Sequence, residues 1–446
     1  MPLSPDSLLH VLGRGVATSS ELQREFEVSQ PTLSRALSDL GDRIVRIGKA
    51  RSTRYGLRRE LPQIGSSWPI FSVSTTGSPT LLGRLNALAR DQYWFDAVST
   101  EHSGVSDGLP YFLQDLWPQG FIGRTVPRRF PELGLPERIT DWNDAHVLTY
   151  LCRRGEDCIG DLIVGDESLQ RFLRQFHPAR SLLNPNQRER EYPKLAAAAI
   201  AGTAPGSSAG GEHPKFTTSL RSGRRIRHVL VKFSPGGADA GARRWADLLV
   251  CEHLAIQALR RAELTSASTE LLDIDGRIFL EADRFDRTGV RGRVGIVSLA
   301  PVADHYLGRR DNWISAAVSL ARTGEISAGD EQVIRRVATF GRLIGNTDMH
   351  FGNLSFFFSL GAPLSLAPVY DMLPMLYAPL AGDQLPDRTF EAPLPSADTL
   401  HIWGEIADLA ARYWNDVASH ELVSEEFSEM ARANAALVTE AKALAS

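Results

Sequence analysis

The chain has 446 residues and a formal net charge of −4, with 43% hydrophobic, 23% charged and 8% aromatic residues. This length predicts two or three domains, and the charge excludes a protein that binds polyanions over its whole surface, so any nucleic-acid affinity must be local. The three cysteines, the lack of a secretory signal and the lack of roughly 18 consecutive apolar residues predict a cytoplasmic protein with no membrane partner.

The first 60 residues carry the pattern of three helices and a β-hairpin. Ser19 or Ser20 is the expected cap of the second helix, and Pro31 suits the first turn of the third. The predicted helices cover residues 7–12, 20–26 and 30–40, and the predicted strands cover residues 43–48 and 51–57. This order of elements predicts a winged helix-turn-helix domain over residues 1–60.

The charge of this segment favours DNA binding. Residues 43–59 contain seven basic residues and no acidic one. The third helix offers polar side chains that can reach base edges, and the hairpin offers cations for phosphates. The candidate DNA-binding residues are Gln30, Thr32, Ser34, Arg35, Arg51 and Arg54. A small helical domain for protein contacts, with a solvated basic hairpin, is the alternative.

The rest of the chain changes character twice. Residues 61–190 scatter Pro, Gly and Trp through short segments, which predicts mixed strands and loops with no catalytic spacing. From residue 191 the pattern becomes strand-rich, and after residue 300 it is mainly helical apart from one β-hairpin. These patterns predict an α+β fold.

A glycine-rich segment ends the low-complexity stretch of residues 196–211. Phosphate-binding loops need glycines because their backbone N–H groups approach phosphate oxygens closely. The candidate residues are Ser207, Ser208, Ala209, Gly210 and Gly211. A flexible linker would have a similar composition. Lys232, inside the apolar strand predicted over residues 228–233, favours a nucleotide site, although edge-strand lysines are common.

A helix predicted over residues 244–261 places a carboxylate on its apolar face. Leu248, Glu252, Ala255 and Leu259 follow one helical stripe. A buried carboxylate is costly unless it is paired, and Lys232 is its natural partner, as in protein kinases. A glutamate at the edge of the stripe that reaches solvent is the alternative.

The third piece of the pattern lies in residues 345–354, after a helix predicted over residues 333–344. Asp348 and Asn353 are five apart, as in the kinase catalytic loop, where the Asp accepts the hydroxyl proton and the Asn holds a metal. A hairpin predicted around Gly361 then leads to Asp371. These oxygen ligands, without a His/Cys cluster, suit Mg²⁺ rather than Zn²⁺.

Five segments resemble a known family. They are SSAGGEHPK (207–215), LVKF (230–233), DRFDR (283–287), GNTDMHFGN (345–353) and APVYDMLP (367–374). Together they resemble the HipA family of serine/threonine kinase toxins, and the extra N-terminal segment resembles the HipA-like subgroup with its own helix-turn-helix, the YjjJ or HipH type. The resemblance implies a HipA-like accessory region (61–190) and a two-lobed kinase-like core, with a β-rich N-lobe (191–300) and a helical C-lobe (301–446).

The resemblance also implies ATP and Mg²⁺ as cofactors and a role for each candidate residue. Ser208 matches an autophosphorylated serine, and Ser207 could substitute for it. His350 lies in the motif as a structural residue. The implied roles are catalytic base for Asp348, Mg²⁺ ligands for Asn353 and Asp371, phosphate contact for Lys232 with its partner Glu252, and adenine contact at the backbone of Asp283 and Phe285.

Relatives of this type commonly phosphorylate a serine of a translation component, so the implied partners are such a protein substrate, an antitoxin, and DNA through residues 1–60. The additional N-terminal domain departs from the usual HipA pattern and leaves the substrate open. Two other functions remain. One is a transcription regulator with a nucleotide-sensing or inactive kinase-like domain, and the other is an Mg²⁺-dependent enzyme that acts on DNA.

Overall fold

The computed structural model describes residues 2–48, 53–175, 182–202, 213–237, 239–380 and 384–445. It has a mixed α/β architecture. A small three-stranded sheet lies at the N-terminus, two five-stranded sheets follow, and helices dominate the C-terminal part. In the described part of the chain, no helix is both long and apolar enough to cross a membrane.

The N-terminal unit consists of three helices against an antiparallel sheet of order β1-β3-β2. Leu8, Leu22 and Leu33, one from each helix, are fully buried in its apolar core. Its elements are α1 (Pro5–Leu12), β1 (Ala17–Thr18), α2 (Ser19–Phe26), α3 (Gln30–Asp39), β2 (Ile44–Ile47) and β3 (Arg54–Leu57).

One local prediction for this unit is wrong. The cap of α2 is Thr18, one residue before the expected Ser19 or Ser20. The Thr18 hydroxyl accepts a hydrogen bond from the Glu21 N–H at 3.1 Å, and the Thr18 N–H donates to the Glu21 carboxylate at 2.8 Å. This reciprocal capping box satisfies the backbone N–H groups of both Thr18 and Glu21. A serine inside the first turn of the helix would not make this pair of hydrogen bonds.

The next unit is built on an antiparallel sheet of order β7-β6-β5-β4-β8, here called the accessory sheet. Its elements are β4 (Ser67–Val73), β5 (Pro79–Ala87), β6 (Gln92–Ala97), β7 (Gly104–Asp107), α4 (Tyr111–Gln114), α5 (Gly120–Gly123), α6 (Val126–Arg129), α7 (Asp144–Arg154), β8 (Leu162–Val164) and α8 (Asp166–Gln175). The expectation of strands and loops alone is therefore wrong. Val147, Leu148 and Leu151 have helical spacing and are buried, and Asn143 caps α7.

The N-terminal unit is docked on this sheet. Val45 and Ile47 of β2 form a buried apolar cluster with Leu88 and Trp94. Beside the cluster, the Val16 N–H donates to the Gln92 side-chain oxygen at 3.2 Å. The two units therefore share an interface in which burial of apolar area is the main stabilising contribution.

The central sheet has the order β12-β13-β11-β10-β9, with β9 parallel to β10 and the other pairs antiparallel. Its elements are β9 (Leu182–Leu183), α9 (Arg188–Ile200), β10 (Lys215–Ser222), β11 (Arg225–Phe233), α10 (Ala240–Arg261), β12 (Thr269–Ile274) and β13 (Arg277–Asp283). The expected division at residue 190 falls inside α9. Tyr192 of α9 packs in the same apolar cluster as Phe216 and Phe279, so α9 belongs with the central sheet.

The C-terminal part is mainly helical, with a small sheet of order β16-β17-β18. Its elements are β14 (Arg287–Thr288), β15 (Gly292–Arg293), β16 (Ile296–Ser298), α11 (Leu299–Tyr306), α12 (Trp313–Thr323), α13 (Ala328–Leu343), β17 (Ser355–Phe357), β18 (Ser365–Leu366), α14 (Leu400–Ser419) and α15 (Glu425–Ala445). The expected division at residue 300 falls inside α11. Leu248 of α10, Phe340 of α13 and Trp414 of α14 share one buried core, so α10 connects the central sheet to these helices.

Candidate functional site

Lys232 lies at the centre of a buried charge cluster. It is only 6% exposed on β11, and its Nζ donates to both carboxylate oxygens of Glu252 at 2.7 Å. Glu252 is 3% exposed on α10, on the buried stripe of that helix. The same ammonium also donates to the Asp371 carboxylate. One cation therefore holds two carboxylates that come from distant parts of the chain.

Lys232 favours the charged form of both carboxylates, but burial, together with Asp371, still raises the pKa of Glu252 above its usual value. Burial alone would lower the pKa of Lys232, but Asp371 and Glu252 reverse this effect and raise the pKa above its usual value. Burial would raise the pKa of Asp371, but Lys232 and then Lys215 hold it at about 2. Asp371 is therefore an anion at neutral pH, as a metal ligand must be.

Two further groups border the cluster, one buried and one half-buried, and neither was given a role from the sequence. Lys215 lies opposite Lys232 in the β10–β11 register and is 2% exposed. The ring of His213 lies 4.5 Å from that of Trp245, and its Nε2 lies 3.0 Å from the Phe233 carbonyl oxygen. Burial, with Lys232 and Lys215 nearby, lowers the pKa of His213 to about 3, so its ring is neutral at neutral pH. The sequence signal that could have identified Lys215 was the position of a lysine beside an apolar strand, directly after the glycine-rich segment.

The loop of residues 345–353 lies beside this cluster. The Asp348 N–H donates to Asn346 Oδ1 at 3.0 Å, and Asn353 Nδ2 donates to the Asp348 carbonyl at 2.8 Å. Asn346, which is buried, also donates from Nδ2 to the Asp371 carbonyl at 3.3 Å. These bonds tie the exposed Asp348 to the backbone that carries Asp371. Asn346 is a positioning residue that the sequence analysis missed.

Asp348 itself has the properties of a proton acceptor. Partial burial, with a contribution from Asp371, raises the pKa of its carboxyl above the usual value. A raised pKa makes a carboxylate a better base. Its side chain remains exposed, so a substrate hydroxyl can approach it.

Asn353 and Asp371 fit the donor set for Mg²⁺. The hydrogen bond from Asn353 Nδ2 to the Asp348 carbonyl orients this side chain, whose Oδ1 is the atom that can bind a metal. No group of three or more His, Cys, Asp or Glu side chains with metal-ligand geometry occurs among the described residues. Mg²⁺ usually takes only one or two protein carboxylates and completes its shell with water and phosphate, so two oxygen donors are compatible with it.

The segment predicted to contact adenine has backbone N–H groups that already make hydrogen bonds within the protein. The Asp283 N–H donates to the Ser268 carbonyl and the Arg284 N–H donates to the His228 carbonyl, both at 2.8 Å. These two N–H groups are engaged within the protein, and the Asp283 carboxylate accepts from Arg227 at 2.7 Å. The Phe285 ring lies 6.1 Å from that of Phe357 and 6.0 Å from that of Tyr370, next to Asp371. Phe285 therefore packs beside the residue that precedes Asp371, whereas the Asp283 side chain is paired with Arg227.

Comparison with known proteins gives the family. Two family models match, "YjjJ-like toxin, middle domain" over residues 64–173 and "HipA-like C-terminal domain" over residues 207–437. The chain is 36% identical over 438 residues to "Toxin YjjJ" of Escherichia coli (strain K12), which covers 95% of each chain. The chain belongs to the HipA-like toxins of the YjjJ type.

Two solved structures are similar to this HipA-like toxin. One is HipA of Shewanella oneidensis MR-1 in complex with HipB and operator DNA, with a TM-score of 0.49 and 14% identity over 83% of this chain and 96% of that chain. The other is the Helicobacter pylori proinflammatory kinase CtkA, with a TM-score of 0.35 and 14% identity over 51% of this chain and 94% of that chain.

The DRFDR segment of this HipA-like toxin also joins two units. Asp286 is buried and paired with Arg284 and Arg287 at 2.8 and 2.7 Å, and it accepts a hydrogen bond from the Gly160 N–H at 3.0 Å. Burial would raise the pKa of Asp286, but the two guanidinium groups hold it well below its usual value. This cluster fixes the central sheet to the unit of the accessory sheet.

The candidate DNA-binding residues are only partly brought together. Four of them, Gln30, Thr32, Ser34 and Arg35, are exposed on α3. Gln30 Oε1 accepts hydrogen bonds from Ser19 at 2.9 Å and from Gln23 at 2.6 Å, so only its amide nitrogen is available to a ligand. Arg54 is half-buried at the start of β3, whereas Arg51 lies outside the described residues, as do the glycine-rich candidates Ser207, Ser208, Ala209, Gly210 and Gly211.

Proposed function

We propose that this protein is an ATP- and Mg²⁺-dependent serine kinase that phosphorylates a protein substrate. The observation that carries the proposal is the ammonium of Lys232, shared between Glu252 and Asp371, beside a loop that holds Asp348 and Asn353. A strand lysine paired with a helix glutamate is the arrangement that positions nucleotide phosphates in kinases. An enzyme that cuts DNA with Mg²⁺ alone would not need this pair.

Each residue has one role in this proposal. Lys232 meets the α- and β-phosphates, and Glu252 holds it in place. Asn353 and Asp371 would hold Mg²⁺, which neutralises charge on the phosphates when bound. Asp348 accepts the proton of the substrate serine, and Phe285 borders the adenine. Catalysis then depends on positioning and charge stabilisation.

Incubation with γ-labelled ATP and Mg²⁺ tests the proposal. Asp348→Asn removes the base and should lower phosphoryl transfer by about 10²- to 10⁴-fold, while thermal unfolding stays close to that of the wild type because the side chain is exposed. Asp330→Asn, a half-buried carboxylate in the first turn of α13 that accepts a hydrogen bond from Ser327, is the matched control. Transfer by Asp348→Asn at the wild-type rate would mean that the site is wrong.

Autophosphorylation of Ser208, or of Ser207 in its place, belongs to the same proposal. A phosphate adds about −1.5 to −2 charges to a segment proposed to bind nucleotide phosphates, so it should lower ATP affinity. Mass spectrometry after incubation with Mg-ATP would locate the phosphate. Phosphate found only outside residues 203–218 would contradict this part of the proposal. A separate antitoxin stays a prediction from the family.

A second function, DNA binding, is favoured by the N-terminal unit. The proposal that this unit is a winged helix-turn-helix is supported by its three helices, its β-hairpin and the polar side chains exposed on α3. The seven basic residues of segment 43–59 would meet phosphates, so affinity should fall steeply with salt. We propose that Arg35 and the amide nitrogen of Gln30 read bases.

Gel shifts with the full chain and the DNA upstream of its own gene test this second function. Arg54→Ala should weaken all duplexes to a similar extent and lower the salt slope by about one. Arg35→Ala should instead cost about 1–3 kcal/mol on the preferred sequence only. The absence of any binding at low salt would identify the unit as a protein-interaction module.

A further inference from the structure

A cavity of about 500 Å³ lies between the accessory sheet and the C-terminal helices, and none of the described residues that line it belongs to the Lys232 cluster. One wall is β7 with the preceding turn, another is the end of α11, and the third is the turn of the β17–β18 hairpin at residues 360–363. Nothing in the proposed chemistry uses this cavity.

Aromatic rings form its inner wall. The rings of Tyr111 and His305 are stacked with centroids 4.3 Å apart, and the Tyr306 ring meets them edge-on at 5.8 and 4.6 Å. Phe112 stacks on Phe358 beneath them at 5.9 Å. Rings from two separate units therefore converge here, and Tyr306 is 37% exposed, so part of the aromatic surface is available to a ligand.

The formal charges of the cavity are negative. Among its described lining residues are the carboxylates of Glu101 and Glu325 but no lysine or arginine. Burial raises the pKa of Tyr111 and lowers the pKa of His305, so both rings are neutral at neutral pH. Neutral ring faces next to a carboxylate attract a cation by both cation–π and ionic attraction.

The wall formed by β7 has the geometry to receive an extended peptide. β7 is the edge strand of the accessory sheet, paired with β6 on one side. Residues 103–106 of this edge line the cavity. An edge strand can accept an extended segment as an added strand, whose alternate side chains then point to one face.

We propose that this cavity is a docking site for an extended segment of a protein partner and that it takes an arginine side chain of that segment. The main chain would lie along β7, the guanidinium would lie on the aromatic wall, and Glu325 would accept its hydrogen bonds. Arginine fits better than lysine because its planar group stacks on rings and binds a carboxylate through two N–H groups.

The hairpin turn connects this site to the proposed catalytic site. A Cβ added at Gly361 would lie 2.2 Å from His102 Nε2, so the turn is in tight contact with the accessory unit. The strands of the same hairpin run between Asn353 and Asp371. The docking proposal does not depend on kinase activity, and its test measures binding alone.

The test uses the full-length protein and two blocked heptapeptides, Gly-Ser-Val-Arg-Val-Ser-Gly and the same peptide with citrulline, an uncharged isostere, in place of arginine. Titration calorimetry should show about tenfold tighter binding of the arginine peptide, since an ionic contact with cation–π attraction is worth about one such factor. Glu325→Gln should remove this difference, and Tyr306→Leu should weaken the arginine peptide. Glu405→Gln, an exposed glutamate on α14, should change nothing.

Equal affinity for the two peptides would overturn the proposal, and so would an unchanged affinity in Glu325→Gln. Arginine amide that binds as tightly as the peptide would show a small-molecule site instead of a docking site, and would overturn it as well. The arginine–citrulline comparison uses the wild-type protein, so it decides the question even where a variant unfolds. Measuring the peptides on Asp348→Asn separates this result from the outcome for the kinase.

Discussion

The two five-stranded sheets bury different kinds of side chain. The accessory sheet buries apolar side chains such as Ile70, Leu85 and Phe95. The central sheet buries Lys232 and Glu281 among its apolar residues. Because a buried charge costs several kcal/mol unless it is well paired, each buried charge of the central sheet needs its own explanation.

For Glu281 the explanation is structural. Its carboxylate, fully buried on β13, accepts hydrogen bonds from Arg188 at 2.9 Å and from Tyr192 at 2.6 Å. Both donors lie on α9, so this cluster attaches the helix to the sheet. Lys232, in contrast, binds the carboxylates of Glu252 and Asp371, and the packing of the sheet does not require these two groups to meet. The accessory sheet therefore serves as a scaffold, whereas the central sheet carries both a structural anchor at Glu281 and the proposed catalytic site at Lys232.

Lys232→Met should have the largest effect. It leaves Glu252 and Asp371 buried without their cation, which costs about 3–5 kcal/mol of unfolding free energy. It also removes a donor to the phosphates, which should lower phosphoryl transfer by about 10²- to 10³-fold. Urea unfolding and the labelled-ATP assay measure the two effects. A fully active Lys232→Met would remove the functional distinction between the sheets.

Leu85→Ala should show the opposite pattern in the accessory sheet. Leu85 is fully buried on β5, and its truncation should cost about 2–5 kcal/mol of unfolding free energy through lost burial and the cavity left behind. The affinity for a fluorescent ATP analogue should stay within about twofold, because the side chain lies outside the Lys232 cluster. A large fall in nucleotide affinity, with the protein still folded, would show that the accessory sheet is more than a scaffold.

The sequence predicted the parts of the site that depend on local patterns. The apolar run of β11 and the stripe of α10, together with the lysine–glutamate pair known from protein kinases, predicted the contact of Lys232 with Glu252. The contact of Lys232 with Asp371 was not predictable, because it depends on the path of the chain after β18 and on a left-handed backbone at Asp371 with φ of 54°. Lys215 was missed because no periodicity marks a residue that follows a glycine-rich segment. α7 was missed because scattered Pro, Gly and Trp obscure its pattern.

The last prediction concerns acid stability, and it sharpens the comparison in the central sheet. His213 has a pKa of about 3 in the folded protein, below its usual 6.5, so between these values the unfolded chain binds one proton more than the native one. Stability should therefore fall as the pH is lowered below 6.5, by up to about 1.4 kcal/mol per pH unit from this group.

Replacing His213 by Phe should flatten this slope between pH 6 and pH 4, as measured by urea unfolding at each pH. Trp245→Phe disturbs the same ring contact without removing a titrating group, so it should keep the wild-type slope. Identical slopes for His213→Phe and the wild type would contradict the burial of a neutral imidazole beside the lysines.

The docking of the N-terminal unit on the accessory sheet has a consequence for control. The short connection from β3 to β4 keeps Val45 and Ile47 next to Leu88 and Trp94. Units joined in this way meet at a local concentration of about millimolar or higher, far above that of separate proteins in a cell. Dilution cannot separate them, and their synthesis as one chain keeps them at a one-to-one ratio. Regulation of this chain must therefore act through its ligands or its conformation, and not through the relative amounts of its two units.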